Sequence, residues 1–327
     1  MPPGLDISVV VPAHDRPLRL LWLLNALEEQ TLDPARWEVV VAYDSRPPTT
    51  QRLLAEHPLT RRGSLRQVPR EPGTGFAPVL RNDGWRAARG RLIAFTDDDC
   101  RPDPGWLEAL AEAAGHAPED GVLQGSVRSD PREAEVLARV PWARTLHVDP
   151  PDWHAPTANI AFPRALLERL DGFVEEIRGP GGEDTDLWAR AEDAGAQLVA
   201  VPEARVYHAV HPMTLGQYLR SLHRWADIPA VVKRHPRMRR RLPYGGLFWK
   251  ERHARLLLGA AGAAGARRHP VLWALALPWV RAAWPGSGRT PRGVARAVVA
   301  LPARAAEDVG EIAAMVRGSV RHRTFFL

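Results

Sequence analysis

The stretch "LIAFTDDDCRP", from Leu92 to Pro102, joins an apolar run to three consecutive aspartates. Its first five residues have the character of a β-strand. Asp97, Asp98 and Asp99 follow where that strand ends, and their adjacent negative charges repel each other. An acidic triplet of this kind is either simply solvated or neutralised by a cation. Its place after a strand favours the cation, because open α/β sheets bind ligands beyond the carboxyl ends of their strands.

The surrounding sequence alternates between strand and helix patterns. The pattern predicts strands at residues 6–12 (ended by Pro12), 37–45, 64–69, 91–99, 121–129 and 157–163, with a strand pair at 196–208. It predicts helices at residues 18–30, 49–57, 77–90, 105–114, 164–170 and 185–194. Proline or glycine lies at most of the breaks. Such alternation predicts an α/β fold whose mostly parallel sheet is flanked by helices.

Composition narrows the class of protein. The chain has 327 residues, of which 45% are hydrophobic, enough for one large core or two modest ones. The single cysteine, Cys100, cannot form an intramolecular disulfide, and we interpret it as a packing residue. The N-terminal segment has no apolar run of the kind found in secretion signals. We therefore expect a protein of the reducing cytoplasm.

Charge divides the chain into two parts. Residues 233–327 contain 19 Lys and Arg against 4 Asp and Glu, a net charge of +15, and residues 1–232 contain 25 against 34, a net charge of −9. This shift predicts a catalytic or binding domain at 1–232 and a basic, apolar helical tail at 233–327.

Two properties of the tail indicate an interfacial partner. Its uncharged apolar runs are about half the ~20 residues that a membrane-spanning helix needs. Four tryptophans lie among its arginines: Trp249, Trp273, Trp279 and Trp284. This composition suits a helix on an anionic membrane, which would place the protein on the inner face of the membrane. A helical cap on the sheet and a dimer contact remain alternatives, whereas the apolar content disfavours nucleic acid.

Five stretches occur in the order that resembles glycosyltransferase family 2, which has the GT-A fold. They are "VVVPAHDR" (Val9 to Arg16), "VVVAYDS" (Val39 to Ser45), "LRNDGWRAARG" (Leu80 to Gly90), "FTDDDC" (Phe95 to Cys100) and "GGEDTDLWAR" (Gly181 to Arg190). The resemblance covers about residues 6–208. It implies a GT-A domain, a Rossmann-like and mostly parallel sheet, followed here by a helical basic extension.

The resemblance also implies a nucleoside site at the ends of the first two strands. It assigns the nucleoside to Pro12, Ala13, Asp15 and Asp44. Family members often carry two aspartates at the second position, and this chain has Tyr43 before Asp44. A turn-capping role for Asp44 is the alternative.

Two further donor contacts follow from the resemblance. Arg81 matches an arginine that contacts the nucleotide, although a plain surface arginine is the other interpretation. The strand "TANIAFP" matches one beside the sugar, so Thr157 and Asn159 are expected donor or acceptor contacts, while Trp153 and His154 either stack on a sugar or belong to the core.

The aspartate triplet matches the family's D-x-D metal motif. Asp97 and Asp99 are the expected ligands of Mg²⁺ or Mn²⁺, and Asp98 either reaches donor hydroxyls or faces solvent. His208 matches a histidine that supplies a third ligand in some members. A structural histidine is the alternative, and His211 is the weaker competitor.

The pair Glu183 and Asp184 matches the catalytic position of the family. Asp184 would act as the base that deprotonates the acceptor hydroxyl, although carboxylates at a helix N-terminus also act as caps. Gly179, Gly181 and Gly182 precede the pair, so we expect a loop that closes over the donor.

Together these features predict an inverting, metal-dependent glycosyltransferase that moves one sugar from a nucleotide-sugar, expected to be a UDP-sugar, to an acceptor hydroxyl. The acceptor would be a glycan, a lipid-linked molecule or a small molecule. The alternatives are an inactive GT-A module that only binds nucleotide or sugar, and a nucleotidyltransferase of related fold. The latter would need a glycine-rich phosphate loop after the first strand, which "VPAHDRP" does not provide.

Overall fold

The computed structural model describes residues 5–45, 48–177, 181–284 and 290–327. These residues divide into two compact units. The first unit comprises the described parts of residues 1–178 and 183–213, and the second comprises those of 179–182 and 214–327. The predicted loop glycine Gly179 lies outside the described residues.

The first unit is built on one mixed sheet. Its described strands are β1 (Ile7–Ala13), β2 (Trp37–Tyr43), β3 (Leu65–Pro69), β4 (Leu92–Phe95), β5 (Cys100–Pro102), β6 (Gly121–Ser129), β7 (Ile160–Pro163) and β8 (Gln197–His208). Their order across the sheet is β3-β2-β1-β4-β7-β6-β8-β5. The first four strands run parallel, β7 is antiparallel to both its neighbours, β6 and β8 are parallel, and β5 is antiparallel to β8.

Helices cover both faces of this sheet. The first unit contains α1 (Pro17–Glu28), α2 (Pro48–Glu56), α3 (Pro58–Arg61), α4 (Ala77–Ala87), α5 (Trp106–His116), α6 (Ala134–Arg139), α7 (Arg164–Leu170) and α8 (Glu183–Asp193). Alternate residues of β1 belong to different cores: Val9 and Val11 share one with Leu24 of α1, and Val10 shares the other with Trp85 of α4. This two-sided burial explains why the strand is apolar at every position except Ser8, whose hydroxyl donates a hydrogen bond to Glu38 at 2.9 Å. The predicted α/β class, with a mostly parallel sheet flanked by helices, is confirmed.

Several predicted strand boundaries were wrong. The strand predicted at 91–99 ends at Phe95, before the triplet, and the one predicted at 157–163 begins at Ile160. β1 continues through Pro12, which is paired with Ala42 of β2; the neighbouring β4 pairs only as far as Val10, so the missing N–H of the proline disrupts no bond on that side. Residues 196–208 form the single strand β8 instead of a strand pair. Its register against β6 shifts between Gly125 and Ser126, where residues 202–204 bulge out at Pro202.

The second unit is helical, as expected for the basic extension. It contains α9 (Leu215–Ser221), α10 (Ile228–Arg234), α11 (Pro243–Gly246), α12 (Glu251–Gly265), α13 (Leu277–Ala283) and α14 (Pro291–His322), with 3-10 helices at Leu222–Asp227, Pro236–Arg241 and Pro270–Ala276. The segment before residue 233 packs closely on α14, since a Cβ on Gly318 would lie 2.0 Å from the carbonyl oxygen of Ala226. The compact units therefore divide between Met213 and Thr214, not at the predicted domain boundary of 232 and 233.

Buried charges join the helices of the second unit. Lys250 Nζ lies 2.8 Å from both carboxylate oxygens of Glu311, and His253 Nε2 lies 2.9 Å from Glu311 Oε2. Arg252 pairs with Asp308 at 2.8 Å. Burial alone would raise the pKa of Glu311, but His253 and Lys250 lower it to about 2. Because two cationic side chains already neutralise these acids, we interpret the cluster as structural.

Among the described residues, no helix combines the length and the apolar character needed to cross a membrane.

Close packing of α4 on the sheet gives a stability test. A Cβ on Gly84 would lie 2.5 Å from Val10 Cγ1. We therefore expect Gly84→Ala to lower the free energy of unfolding by about 1–3 kcal/mol, measured by urea denaturation. The matched control is Gly115→Ala in α5, where a Cβ meets no atom within 4 Å and should be neutral or stabilising. An equal effect of the two substitutions would contradict this packing.

Candidate active site

The middle aspartate of the triplet holds the turn that follows β1. Asp98 is buried, and its Oδ2 accepts a hydrogen bond from the backbone N–H of His14 at 3.2 Å. Arg16, directly before α1, places Nη2 3.0 Å from Asp98 Oδ1 and also pairs with Asp99. Burial raises the pKa of Asp98 to about 7, against the opposing effect of Arg16. Asp98 therefore fixes the first turn, a role the sequence left open between donor hydroxyls and solvent.

The expected nucleoside residues are neighbours in space. Asp44 is fully buried, accepts a hydrogen bond from the Gly75 N–H at 2.9 Å and contacts His14 Nδ1 at 2.5 Å. A Cβ on Gly75 would lie 2.9 Å from Asp44 Cγ, so only glycine allows this approach. Asp44 thus anchors the loop before α4 to the turn after β1. It is a structural anchor as well as a candidate nucleoside contact.

The other members of the expected nucleoside site lie in or just after the last residues of β1. Pro12 and Ala13 are the final two residues of that strand. Asp15 has a positive φ of 46° and its N–H donates to Ser45 Oγ at 3.1 Å, which ties the ends of β1 and β2 together.

Arg81 connects the triplet to α8. Its guanidinium is buried in α4, where Nη2 donates to Asp97 Oδ1 at 2.9 Å and Nη1 donates to Glu183 Oε1 at 2.8 Å. Burial opposes its charge, but Asp97 and Glu183 raise the pKa of Arg81 above its ordinary value. Arg81 is therefore not a surface arginine. It brings the expected metal motif and the expected catalytic pair into one site.

Asp184, the expected base, directly follows Glu183, which pairs with Arg81. Asp184 is partly buried at the start of α8, and the N–H of Thr185 donates to its Oδ1 at 2.8 Å. Burial, followed by the negative charge of Glu183, raises the pKa of Asp184 to about 7, while Arg81 opposes the rise. A carboxyl that gains and loses its proton near neutral pH suits general base chemistry.

Four potential ligands surround one point beside the triplet. Ligand atoms of Asp97, Asp99, Cys100 and His208 all lie within 4.8 Å of one another. Asp99 Oδ1 is buried and accepts no hydrogen bond. His208 Nδ1 lies 2.8 Å from the carbonyl oxygen of Ala209, which can only accept, so Nδ1 donates this hydrogen bond. Nε2, the other ring nitrogen, faces Asp99 Oδ1 at 3.7 Å.

These residues fit a hard divalent cation. Burial would raise the pKa of Asp99, but the hydrogen bond with His211 and the charges of His208 and Arg16 hold it well below its usual range. Asp99 is therefore an ionised oxygen donor of the kind that Mg²⁺ and Mn²⁺ prefer. Burial raises the pKa of Cys100 well above its usual value, so its thiol stays protonated and packs. His211 Nε2 holds the other oxygen, Asp99 Oδ2, at 2.9 Å.

Asn159 and Thr157, the two predicted donor or acceptor contacts near β7, are both buried. The side chain of Asn159 donates to the carbonyl oxygens of Ser126 and Ala204 at 2.9 and 2.7 Å and accepts from Trp106 Nε1 at 2.9 Å. These bonds turn Asn159 inward, so we leave it out of the donor site.

Trp153 and His154, the aromatic pair before β7, lie close to the start of α8, where Glu183 and Asp184 are. The rings of Trp153 and His154 stack with centroids 4.0 Å apart. The carbonyl oxygen of His154 accepts from Thr185 Oγ1 at 2.9 Å. Trp153 and His154 therefore remain candidates for contact with a sugar.

Sequence reasoning missed the partners of the triplet. Arg16 and His211 both contact Asp99, and His14 contacts both Asp44 and Asp98. Arg16 and His14 lie inside the motif "VVVPAHDR", so their position in a turn after β1 was a usable signal. The sequence named His211 only as a weaker competitor of His208, and the pairing of β8 with β5 brings it to the triplet.

Residues 8–158 match the family described as glycosyl transferase family 2, and residues 143–212 match the family described as N-terminal domain of galactosyltransferase. The chain is 30% identical to validoxylamine A glucosyltransferase of Streptomyces hygroscopicus subsp. limoneus, over 74% of this chain and 58% of that protein. The chain therefore contains a glycosyltransferase family 2 domain. It spans about three fifths of the length of the curated relatives it matches, 58% and 63% for two of them.

Solved structures support the GT-A fold of this family 2 chain. A mannosyltransferase from Pyrobaculum calidifontis, in complex with GDP-Man and Mn²⁺, superposes with a TM-score of 0.55 at 21% identity, over 97% of this chain and 87% of that one. TarS 1-349 of S. aureus superposes with a TM-score of 0.51 at 18% identity, over 99% and 93% of the two chains. At these identities the likeness concerns the fold alone.

The ligand set predicts a selective loss of metal binding. Asp99→Asn removes an ionised ligand, and we expect the affinity for Mn²⁺ to fall by at least about tenfold, followed by the loss of the free Mn²⁺ signal in electron paramagnetic resonance. Cys100→Ala is the matched control within the same cluster and should leave that affinity unchanged. If both variants bound Mn²⁺ like the unaltered chain, the assignment of Asp99 would fail.

Proposed function

We propose that the chain is an inverting, metal-dependent glycosyltransferase that moves one sugar from a nucleotide-sugar to an acceptor hydroxyl. The observation that carries the proposal is the double pairing of Arg81 with Asp97 and Glu183, at 2.9 and 2.8 Å. It places the candidate metal ligands and the candidate base in the same site. An inactive binding module would not need both, and membership of family 2 leaves the nucleotidyltransferase hypothesis without support.

In this proposal Asp97, Asp99 and His208 hold Mg²⁺ or Mn²⁺. The negative charge that develops on the leaving nucleoside diphosphate would be stabilised by the bound cation. Asp44 and the turn from Pro12 to Asp15 bind the nucleoside. Arg81 is held by two carboxylates, so its role is to fix the geometry of the site, with its charge beside the diphosphate.

Proton transfer is assigned to Asp184. As the acceptor oxygen attacks the anomeric carbon from the face opposite the diphosphate, a new carbon–oxygen bond forms and the bond from that carbon to the diphosphate oxygen breaks. The hydroxyl proton passes to the carboxylate of Asp184, and the configuration inverts. Glu183 supports this step indirectly, because its charge raises the pKa of Asp184 and its Oε1 holds Arg81.

Donor and acceptor are proposed more broadly. The mannosyltransferase structure contains GDP-Man and a structure of TarS contains UDP-GlcNAc, which supports a nucleotide-sugar donor. We take a UDP-sugar as the first candidate and a GDP-sugar as the second. The name validoxylamine A glucosyltransferase makes a small-molecule acceptor a candidate beside a glycan or a lipid-linked acceptor. Cytoplasmic location and closure of the loop at Gly181 and Gly182 stay predictions.

Replacement of the base tests the mechanism. We expect Asp184→Asn to reduce kcat by roughly 10²–10⁴, since positioned proton transfer contributes that much, while Mn²⁺-dependent binding of nucleoside diphosphate persists. In the unaltered enzyme kcat/KM should fall as the pH drops below about 7, because Asp184 must be unprotonated to act as a base. The matched control is Asp193→Asn at the other end of α8, which should keep full activity. Full activity in Asp184→Asn would remove the base assignment.

A further inference from the structure

The surface of the last 76 residues has one sign of charge. From Arg252 to Leu327 the sequence contains three acidic residues, Glu307, Asp308 and Glu311. Their side chains are between 0% and 14% exposed and pair with Arg252, Lys250 and other cationic side chains within the second unit. The exposed charged side chains of this segment in the described residues are therefore basic, apart from the terminal carboxylate. Such a surface attracts anions without local competition from carboxylates.

Large apolar side chains lie exposed within the same segment. Val271, Trp273 and Leu277 are 76%, 61% and 64% exposed. They lie in the 3-10 helix Pro270–Ala276 and at the start of α13. Arg267, Arg268 and His269 directly precede them, and Arg281 follows; all four are exposed. Exposed apolar residues flanked in this way by cations are uncommon on surfaces that face only water.

Close packing of α12 on the 3-10 helix Pro270–Ala276 determines which residues of that helix are buried against α12 and which stay exposed. A Cβ on Gly262 would lie 2.5 Å from the carbonyl oxygen of Leu272, and one on Gly265 would lie 2.6 Å from Leu272 Cδ1. A Cβ on Gly259 would lie 3.1 Å from Ala276 Cα. Glycine at every third position of α12 thus lets the two segments approach closely. Leu272 and Ala276 lie against α12, and Val271, Trp273 and Leu277 are left outside.

We propose that this hairpin, residues 251–283, docks on an anionic lipid bilayer, with Val271, Trp273 and Leu277 entering the interfacial region and Arg267, Arg268 and Arg281 pairing with lipid phosphates. Indole and aliphatic groups favour the interface between headgroups and acyl chains. Arginines near an anionic surface add a favourable electrostatic term. The proposal concerns a surface of the second unit and does not depend on the reaction proposed above.

The exposed apolar side chains favour lipid over nucleic acid. A phosphate-binding arm for nucleic acid gains affinity from cations alone, and exposed valine and leucine add nothing to contacts with a phosphate backbone. A second copy that docked through the same surface would place one basic surface against another, with no exposed acidic side chain in the described residues of 252–327 to pair across the contact. The anionic bilayer satisfies both the charge and the apolar side chains.

Vesicle co-sedimentation of the full chain tests the proposal. We expect pelleting with vesicles of phosphatidylcholine and phosphatidylglycerol, at least about tenfold stronger than with phosphatidylcholine alone, and weakening as salt is added. Equal pelleting with the two vesicle types, or none with either, would overturn the proposal. Binding to duplex DNA without binding to vesicles would also overturn it in favour of nucleic acid.

Double substitutions test whether the apolar and the basic side chains of this surface are the ones that bind the vesicles. Trp273→Ser with Leu277→Ser, and Arg267→Glu with Arg268→Glu, should each reduce partitioning to the anionic vesicles by about tenfold or more. The matched controls lie on the first unit: Leu137→Ser for an exposed apolar side chain, and Arg52→Glu with Arg61→Glu for exposed charges.

The thermal unfolding midpoint and the circular dichroism spectrum of both test pairs should match those of the unaltered chain, which excludes misfolding as the cause of lost binding. The proposal fails if the control variants lose as much partitioning as the test pairs. It also fails if the test pairs alter the mass of the particle measured by light scattering and not its binding to vesicles, since a second copy would then occupy the surface.

Discussion

Repulsion among three adjacent carboxylates is the constraint on which the rest of the site depends. Each member of the triplet is neutralised by a cationic or hydrogen-bonding partner from a different part of the first unit. Arg81 of α4 pairs with Asp97, Arg16 before α1 pairs with Asp98 and Asp99, and His211 after β8 contacts Asp99. The triplet therefore fixes the relative positions of three segments that are far apart in sequence. Asp99 Oδ1 is buried, has no hydrogen-bond partner and faces the imidazole of His208.

Buried ion pairs of this kind contribute geometry more than net stability. Loss of one partner from a buried pair typically costs about 3–5 kcal/mol, although the intact pair often stabilises the fold little compared with apolar residues. Arg81 is the clearest example, since it is buried between two carboxylates and stacks 5.7 Å from the ring of Phe173. Fixed charges of known position are what a site needs in order to stabilise charge that develops during a reaction. The arrangement is thus better explained by the site it forms than by stability.

Much of the fold could be predicted because β1, β2 and β4 are apolar at nearly every position and end in turn residues. The triplet after β4, Asp44 after β2 and the pair that begins α8 were also visible in sequence, as charged residues at the ends of buried elements. Their partners were not, because Arg16 and His211 reach the triplet only through the packing of α1 and the pairing of β8 with β5. β5 has three residues, too few for any periodic pattern. Asn159 looked like a donor contact, but only the structure places its amide against Ser126 and Ala204.

In the second unit, too, buried acidic side chains pair with cationic ones, but its exposed surface is basic. Within residues 252–327 the three acids are buried or nearly so and pair with cationic side chains, and the exposed charged side chains of the described residues are basic. The chain thus separates an acidic site that attracts cations from a basic surface that attracts anions.

The central claim is that the triplet and His208 hold a divalent cation that carries the diphosphate of the donor. Calorimetric titration of UDP and of GDP into the full chain, once with Mn²⁺ and once with excess chelator, tests it most directly. The account predicts that at least one of the two nucleotides binds with Mn²⁺ and loses about tenfold or more in affinity without it. Equal affinity for that nucleotide in the two titrations would contradict the account.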